Sequence, residues 1–395
     1  MKQKLSLFIL YYLRFFARLQ IQKYKKTNPD FKVVGITGSA GKSSAIMACE
    51  AALKPNFKVI SNNGYNSESG IPMGILGLKI SDYSISSWIK IIFQAPISYF
   101  KNKKIADVLL LEMGIDGPTW PKNMEFLLSI VKPDIGIFLN VTSVHLLNFQ
   151  NIEEIAKEKS KLVNSSKIAI INQFDPLVKK YTTNKNIIAI SKDKVDIPGY
   201  ILPDVYQSTI GSAISLAHTL KLDKNTILKN LKNNFSLPPS RSSVFKGVND
   251  STIIDSSYNS SPLACIEMLN FLNTFKSPKI AILGDMRELG TSSKIEHQKI
   301  YNHALKCADT IISVGQETKK YFGSKANKFS NWWEALDFIK NNLPQKSTIL
   351  IKGSQNTIFL EEIVKSLLQN KSDESKICRQ SEYWLKTKSN YRSSN

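Results

Sequence analysis

The residues with the clearest chemistry run Gly35-Ile36-Thr37-Gly38-Ser39-Ala40-Gly41-Lys42-Ser43-Ser44, directly after Val33-Val34. A β-branched run entering a Gly/Ser turn, followed by helix formers from Ala45 to Leu53, is the strand, loop and helix of a phosphate-binding loop. Glycines let backbone N–H groups close on a phosphate, and the helix N-terminus adds positive dipole. Lys42 is positioned to reach the β- and γ-phosphates, and the Ser43 hydroxyl to ligate Mg²⁺. The strict G-x-x-x-x-G-K-[ST] pattern is missed by one residue, because Ile36 stands at its first Gly and Gly35 is one place early. A Gly/Ser turn before an ordinary helix is the plainer alternative.

Three further side chains join this loop as candidates. Glu112 follows the apolar run Asp107 to Leu111. A carboxylate there supplies the hard oxygen that Mg²⁺ shares with phosphate; a solvated strand-end Glu is the alternative. His145, one of only four histidines, comes just after the apolar run Ile135 to Leu139. Lys159 lies in the charge run Ala156-Lys157-Glu158-Lys159-Ser160-Lys161, which taken alone reads as a solvated helix face.

The elements that must position these groups follow from the alternation of short apolar runs and helical patterns. Strands are expected at Phe57–Ile60, Asp107–Leu111, Ile135–Leu139, Ile168–Ile171 and Ile187–Ile190, and helices at Trp88–Phe100 and Ile152–Val163. That alternation implies a doubly wound, mostly parallel sheet with ligands at the carboxyl ends of its strands. Residues 207–233 read as two closing helices, and Leu237-Pro238-Pro239-Ser240 as a linker. The alternation then restarts, with strands at Thr252–Ile254, Lys279–Leu283, Thr310–Val314 and Thr348–Ile351, and helices beginning near Pro262, Ser292 and Trp332. A last helix, Phe359–Leu368, precedes a polar tail. The expected fold is α/β: a P-loop central domain over 31–238 and a Rossmann-like C-terminal α/β domain over 239–370. Residues 1–30 form an apolar and basic helix before them, and 371–395 the tail.

Composition bounds the partners. A chain of 395 residues with 42% apolar side chains is a folded protein of more than one core. The net charge of +21 suits anionic lipid, nucleic acid or phosphorylated substrates. No nucleic-acid-binding motif is present, so nucleic acid is not an expected partner. The four cysteines form no C-x-x-C pair, which fits a reduced cytosolic setting and no metal cluster. At the N-terminus, Leu5 to Phe16 is mostly apolar with cations at both ends, and is short for a membrane span. As a helix it places Leu5, Ile9, Leu13 and Phe16 on one side, beside Phe8, Tyr12, Phe15 and Leu19. This aromatic band must be covered, either by the protein's own surface or by an anionic bilayer. The bilayer is the reading preferred from sequence, giving a cytoplasmic protein held peripherally at the inner face of the membrane.

Several stretches together resemble the Mur ligases, the ATP-dependent amide-forming enzymes of peptidoglycan synthesis: ITGSAGKSS, NSESGIP, LLLEMG, LNVTSVHL, IAKEKSKLV, INQFDP, SSYNSSP, ILGDMRELG and ILIKGS. The resemblance covers roughly residues 31–370, and GDMRELG points to the D-alanyl-D-alanine-adding branch. It implies that Gly38, Ser39, Ala40, Gly41, Lys42, Ser43 and Ser44 hold ATP phosphates and a first Mg²⁺. It implies that Glu112 and His145 ligate a second Mg²⁺, assisted by Lys159, which matches a lysine that these enzymes carbamylate. Arg241 matches an arginine that meets the phosphates, and Asn259 an asparagine near the base. The implied chemistry is attack of a substrate carboxylate on the γ-phosphate, then displacement of phosphate from the acyl phosphate by an amine. The substrates are then a carboxylate acceptor and an amino acid or dipeptide, and the enzyme a monomer.

The chain also departs from the family. Only about thirty residues precede the first strand, so the domain that usually grips the uridine-diphosphate sugar is expected to be lacking. Asp255-Ser256 replaces an acidic pair, Pro203-Asp204-Val205-Tyr206-Gln207 replaces a His-Asn-x-x-Asn segment, and Gln355 replaces the Arg of KGSR. Two rival readings follow: a folate-type polyglutamate-adding ligase, against which GDMRELG argues, and a membrane-associated nucleotide-binding protein without ligase activity.

Overall fold

The computed structural model describes residues 2–394 except 63–64, 81–83, 103–104, 143–147, 201, 203–204, 277, 288 and 355–357; for 2–6 and 205 it describes the backbone alone. His145, Pro203, Asp204 and Gln355 therefore lie outside the described residues, as do parts of the LNVTSVHL and GDMRELG stretches. The chain divides into two units: Met1–Val195 with Tyr206–Ser236, and Asp196–Val205 with Leu237–Asn395.

The first unit runs α1 (Lys2–Thr27), β1 (Lys32–Thr37), α2 (Lys42–Leu53), β2 (Val59–Ser61), α3 (Gly70–Leu76), α4 (Ile85–Lys101), β3 (Val108–Glu112), α5 (Met124–Ile130), β4 (Ile135–Phe138), α6 (Ile152–Asn164), β5 (Ile168–Ile171), α7 (Pro176–Tyr181), β6 (Ile187–Ala189), α8 (Val205–Thr219) and α9 (Lys224–Asn234). Its six strands lie in the order β2-β3-β1-β4-β5-β6, all parallel. From β1 the chain fills one side of the sheet with β2 and β3, then crosses to the other side with β4, β5 and β6. The crevice above β1 is thus the switch point at which such sheets bind ligands. Central strands β1, β3 and β4 are nearly uninterrupted apolar runs because helices cover both faces.

The second unit runs β7 (Ser243–Lys246), β8 (Thr252–Ser256), α10 (Pro262–Leu272), β9 (Lys279–Gly284), α11 (Ser293–Cys307), β10 (Thr310–Val314), α12 (Gln316–Tyr321), β11 (Ala326–Phe329), α13 (Trp332–Asn342), β12 (Thr348–Lys352), α14 (Glu361–Leu367) and α15 (Glu382–Ser394). Its order is β11-β10-β9-β12-β8-β7, parallel except for β7, which pairs antiparallel with β8. The two α/β sheets agree with the expected fold class. Edge strands β7 and β11 are four-residue runs, too short to stand out by periodicity.

Three differences from expectation have physical causes. Residues 196–205 belong with the second unit, where Val244 N donates to Gly199 O (3.1 Å) and the Tyr200 hydroxyl donates to Leu237 O (3.2 Å). The polar tail contains a helix: Tyr391 of α15 packs edge-on against Phe359 (5.5 Å) and Trp333 (6.1 Å). The third concerns α1. Leu10, Ala17, Ile21 and Tyr24 enter the main core of the first unit, while Ile9 and Leu13 pack with Met73, Leu76 and Ile91 of α3 and α4. The covering for this half of the band is the protein itself, against the preferred bilayer reading. Phe8 and Phe15 stay exposed. No described helix is long and apolar enough to cross a membrane.

This packing fixes a measurable contrast within one helix. Leu13→Ala should lower the unfolding free energy in urea by about 2–5 kcal/mol. Phe15→Ala, at an exposed position, should change it by no more than about 0.5 kcal/mol. Equal effects would mean that α1 is not docked.

Candidate active site

Parallel register brings the ends of three strands together. Ile36 of β1 pairs with Glu112 of β3, and Thr37 with Phe138 of β4. β1 continues to Thr37, so Ile36 is a fully buried strand residue and the loop proper is Gly38 to Gly41. This explains the one-residue departure from the strict pattern. Gly35 serves packing instead: a Cβ there would sit 2.8–2.9 Å from Pro133, Leu162 and Met113. Gly41 caps α2 at φ 80°, a left-handed conformation that glycine adopts without strain. It offers no side chain to the first-turn amides of α2, which leaves them for an anion.

The loop is laced to the chain after β4. Ser39 N donates to Asn140 O (3.0 Å), and Ala40 N to Asn140 Oδ1 (2.9 Å). Thr142 N in turn donates to Ser39 Oγ (2.9 Å). The backbone N–H groups of Ser39 and Ala40 are thus already bonded, and the amide donors for a phosphate come from further along, at the start of α2. Sequence reading passed over Asn140, whose only signal is its place directly after a predicted strand.

Glu112 is buried at the end of β3 and held from several sides. Ser43 Oγ donates to its Oε2 (2.8 Å), and Asn66 Nδ2 to its Oε1 (2.9 Å). Its backbone is clamped by Asn62, which accepts from Glu112 N (3.0 Å) and donates to Glu112 O (3.1 Å). A carboxylate and a hydroxyl side by side beneath a phosphate loop are a fitting donor set for a divalent cation. In the sequence, Asn66 stands out only as the first residue of the NSESGIP stretch, and Asn62 carries no signal of its own.

Lys159 departs from the solvated-face reading. On α6, Lys157 and Lys161 point outward, while Lys159 is only 2% exposed. Its Nζ donates to Gly38 O (3.2 Å), and Lys42 Nζ donates to the same oxygen (3.0 Å). Burial, reinforced by the charge of Lys42, pushes the Lys159 ammonium down to about 7. Burial also lowers Lys42, against the opposing pull of Glu112 and Asp116. The structure therefore brings Gly38, Gly41, Lys42, Ser43, Glu112 and Lys159 to one sheet edge.

Arg241 and Asn259 belong to the second unit, whose strand ends also converge. Asn259 is exposed; Arg241 is half-buried, its guanidinium 4.7 Å over the Tyr258 ring and its buried Nε without a hydrogen-bond partner. Lys352 Nζ, at the end of β12, donates to Asn259 O (3.0 Å). Ser354 Oγ donates to Ser260 O (3.3 Å) and accepts from Arg287 N (3.0 Å). The SYNSS, GDMRE and KGS stretches are thereby tied into one edge. From the far end of the chain, Arg379 donates to both carboxylate oxygens of Glu361 (2.8 Å each) and to Ser257 O (3.3 Å). Lys388 bonds Arg379 O (2.9 Å) and pairs with Glu362.

Removing Arg379 would leave the fully buried Glu361 without its bidentate partner. Arg379→Ala should cost about 3–5 kcal/mol of stability, as for other broken buried pairs. Thermal or urea unfolding of the variant checks this, and a loss within error of zero would show that the tail does not staple the sheet.

Comparison with known proteins agrees with this geometry. The family profile described as Mur ligase middle domain matches residues 36–230, and that described as Mur ligase, glutamate ligase domain matches 240–355. The chain is 25% identical over 390 residues to the UDP-N-acetylmuramoyl-tripeptide–D-alanyl-D-alanine ligase of Buchnera aphidicola, covering 88% of this chain and 78% of that one. It is 24% identical to the Bacillus subtilis enzyme of the same name, covering 86% and 76%. Among solved structures, MurF ligase from Thermotoga maritima in complex with ADP superposes with a TM-score of 0.69 at 22% identity, covering 92% of this chain and 84% of that one. A bifunctional folylpolyglutamate synthase/dihydrofolate synthase shares the fold more distantly, with a TM-score of 0.56 at 14% identity over 88% and 93%. Two profiles of one family thus meet end to end across most of the sequence, and the chain belongs to the Mur ligase family.

Proposed function

We propose that the protein is an ATP-dependent ligase that activates the carboxylate of a nucleotide-linked muramoyl tripeptide as an acyl phosphate and joins it to D-alanyl-D-alanine. The observation that carries this reading is the meeting of Lys42 and Lys159 at the Gly38 carbonyl, with Ser43, next in the chain to Lys42, bonded to Glu112, at the switch point of a parallel sheet. Relatives that carry the D-alanyl-D-alanine ligase name align over most of this chain.

Lys42 and the first-turn amides of α2 bind the β- and γ-phosphates of ATP and stabilise the charge that spreads over the transferring phosphoryl group. Ser43 and Glu112 would hold Mg²⁺, with His145 assigned as a further ligand on the family pattern, and the ion would supply Lewis-acid neutralisation of phosphate oxygens. The substrate carboxylate oxygen attacks the γ-phosphorus, ADP leaves, and the dipeptide amine then displaces phosphate from the carbonyl carbon and loses a proton. Lys159 acts as a carbamate: its neutral amine adds to CO₂, forming an N–C bond and releasing one proton. The product is an anion where two ammonium groups otherwise share one carbonyl. Arg241 is assigned to the phosphates and Asn259 to the nucleotide base on the family pattern. ATP as co-substrate places the reaction in the cytoplasm.

With ATP, Mg²⁺, the tripeptide precursor and D-alanyl-D-alanine, phosphate release should require both the carboxylate and the amine. Release that is indifferent to the amine would overturn the ligase reading. Lys42→Ala should lose at least about 10²-fold in turnover while staying folded. Lys159→Ala should be far more damaging than Lys157→Ala, and wild-type activity in CO₂-depleted buffer should be restored by bicarbonate. Equal effects at the two lysines would return Lys159 to a structural role.

A further inference from the structure

Helix α4 carries two apolar faces. One is spent inside the protein: Ile91 and Ala95 are buried against α1 and α3. The other faces outward. Ile85, Ile89, Phe93, Ile97 and Phe100 fall within about 120° of arc at the helical repeat. Ile85, Phe93 and Phe100 are 71%, 68% and 71% exposed. A surface helix ordinarily presents a polar face to water, so a second apolar stripe calls for a partner.

The stripe continues onto α1. Exposed Phe8 and Phe15 connect to Phe100 through a run of ring contacts: Phe8–Tyr12 (6.2 Å), Tyr12–Phe16 (5.0 Å), Phe15–Phe16 (5.3 Å), Phe16–Tyr99 (6.2 Å) and Tyr99–Phe100 (5.1 Å). The Tyr12 hydroxyl donates to Ile92 O (3.2 Å) and Lys23 Nζ to Tyr99 O (3.0 Å), fixing the two helices as one surface. Exposed Phe8, Phe15, Ile85, Ile89, Phe93, Ile97 and Phe100 thus lie on two helices fixed side by side, and contiguous exposed apolar side chains mark interaction or membrane surfaces.

The charges carried by the two helices themselves have one sign. Neither α1 nor α4 contains an Asp or Glu, whereas Arg18, Lys25, Lys26, Lys90 and Lys101 are exposed on them. Lys90 and Lys101 fall just beside the apolar stripe on the helix wheel, where their stems can lie along it and their ammonium groups reach a surface. The stripe itself is Ile and Phe without hydrogen-bonding groups, so the charges at its margin decide between a protein partner and a lipid surface. Apolar side chains flanked by cations on the same two helices are the complement of a bilayer interface that bears anionic headgroups.

We propose that the α1–α4 face docks the enzyme on an anionic lipid surface, with Phe93, Ile97 and Phe100 entering the acyl boundary and Lys90 and Lys101 meeting headgroup phosphates. Catalysis on soluble precursor does not depend on this contact, so the proposal stands apart from the ligase reading. The test is flotation of the full-length protein with vesicles of phosphatidylcholine containing phosphatidylglycerol, beside vesicles of phosphatidylcholine alone. The protein should float with the anionic vesicles and remain below with the neutral ones. Phe93→Ser/Phe100→Ser should reduce flotation about tenfold or more, with unchanged melting temperature and unchanged turnover. Lys90→Glu/Lys101→Glu should reduce it with anionic vesicles specifically. Failure of the wild type to float, or equal flotation of the serine variant, would overturn the proposal. So would a wild-type dimer, by light scattering, that the serine variant converts to monomer without any flotation of either.

Discussion

Two ammonium groups share a single acceptor at the strand ends of the first unit's sheet. Lys42 and Lys159 both donate to the carbonyl of Gly38, and Lys159 does so from almost complete burial. Burial and like charge disfavour that arrangement in the fully protonated state, and both act to lower the basicity of Lys159. Everything around the loop serves to impose it. β1 pushes Gly38 up between β3 and β4; α2 begins immediately after the loop and delivers Lys42; α6 turns Lys159 inward while Lys157 and Lys161 face water. The arrangement suits the proposed reading, in which anions occupy the site: nucleotide phosphates beside Lys42 and a carbamate on Lys159.

The second unit answers a different constraint. Its loops at the strand ends are held by polar ties in addition to the packing of Met286, Ile358, Phe359 and Leu360. Lys352 and Ser354 reach across to the Asn259 loop, and Arg379 reaches back from the C-terminal segment to the same loop and to Glu361. Such buried ties specify one arrangement of the loops provided each polar group finds its partner. The Nε of Arg241 is an exception, buried without a partner beside Tyr258.

Much of this was legible in the residues. The β-branched entry to the Gly/Ser turn, the apolar run that ends at Glu112 and the repeated strand–helix alternation sufficed for two α/β units and a phosphate loop. What could not be read were properties set by tertiary packing. The run from Lys157 to Lys161 looks uniformly solvated, and only the docking of α6 against β1 and β4 singles out Lys159. Asn62, Asn66 and Asn140 give no periodic signal because their roles are to satisfy backbone and carboxylate across the loops. The apolar band of α1 announced a need for cover but not its direction; in the fold, α3 and α4 take its inner half and leave Phe8 and Phe15 outside. The helix in the C-terminal segment was hidden because its anchors are a few aromatic and charged residues in a polar stretch.

The central claim, that the lysine buried beside the phosphate loop works as an anion, has a direct spectroscopic test. The purified protein is equilibrated with isotopically labelled bicarbonate and its labelled carbon observed by NMR, alongside Lys159→Ala and Lys157→Ala. A protein-bound carbamate resonance in the wild type and in Lys157→Ala, absent from Lys159→Ala, is the predicted result. No such resonance in the wild type, or one that survives in Lys159→Ala, would contradict it.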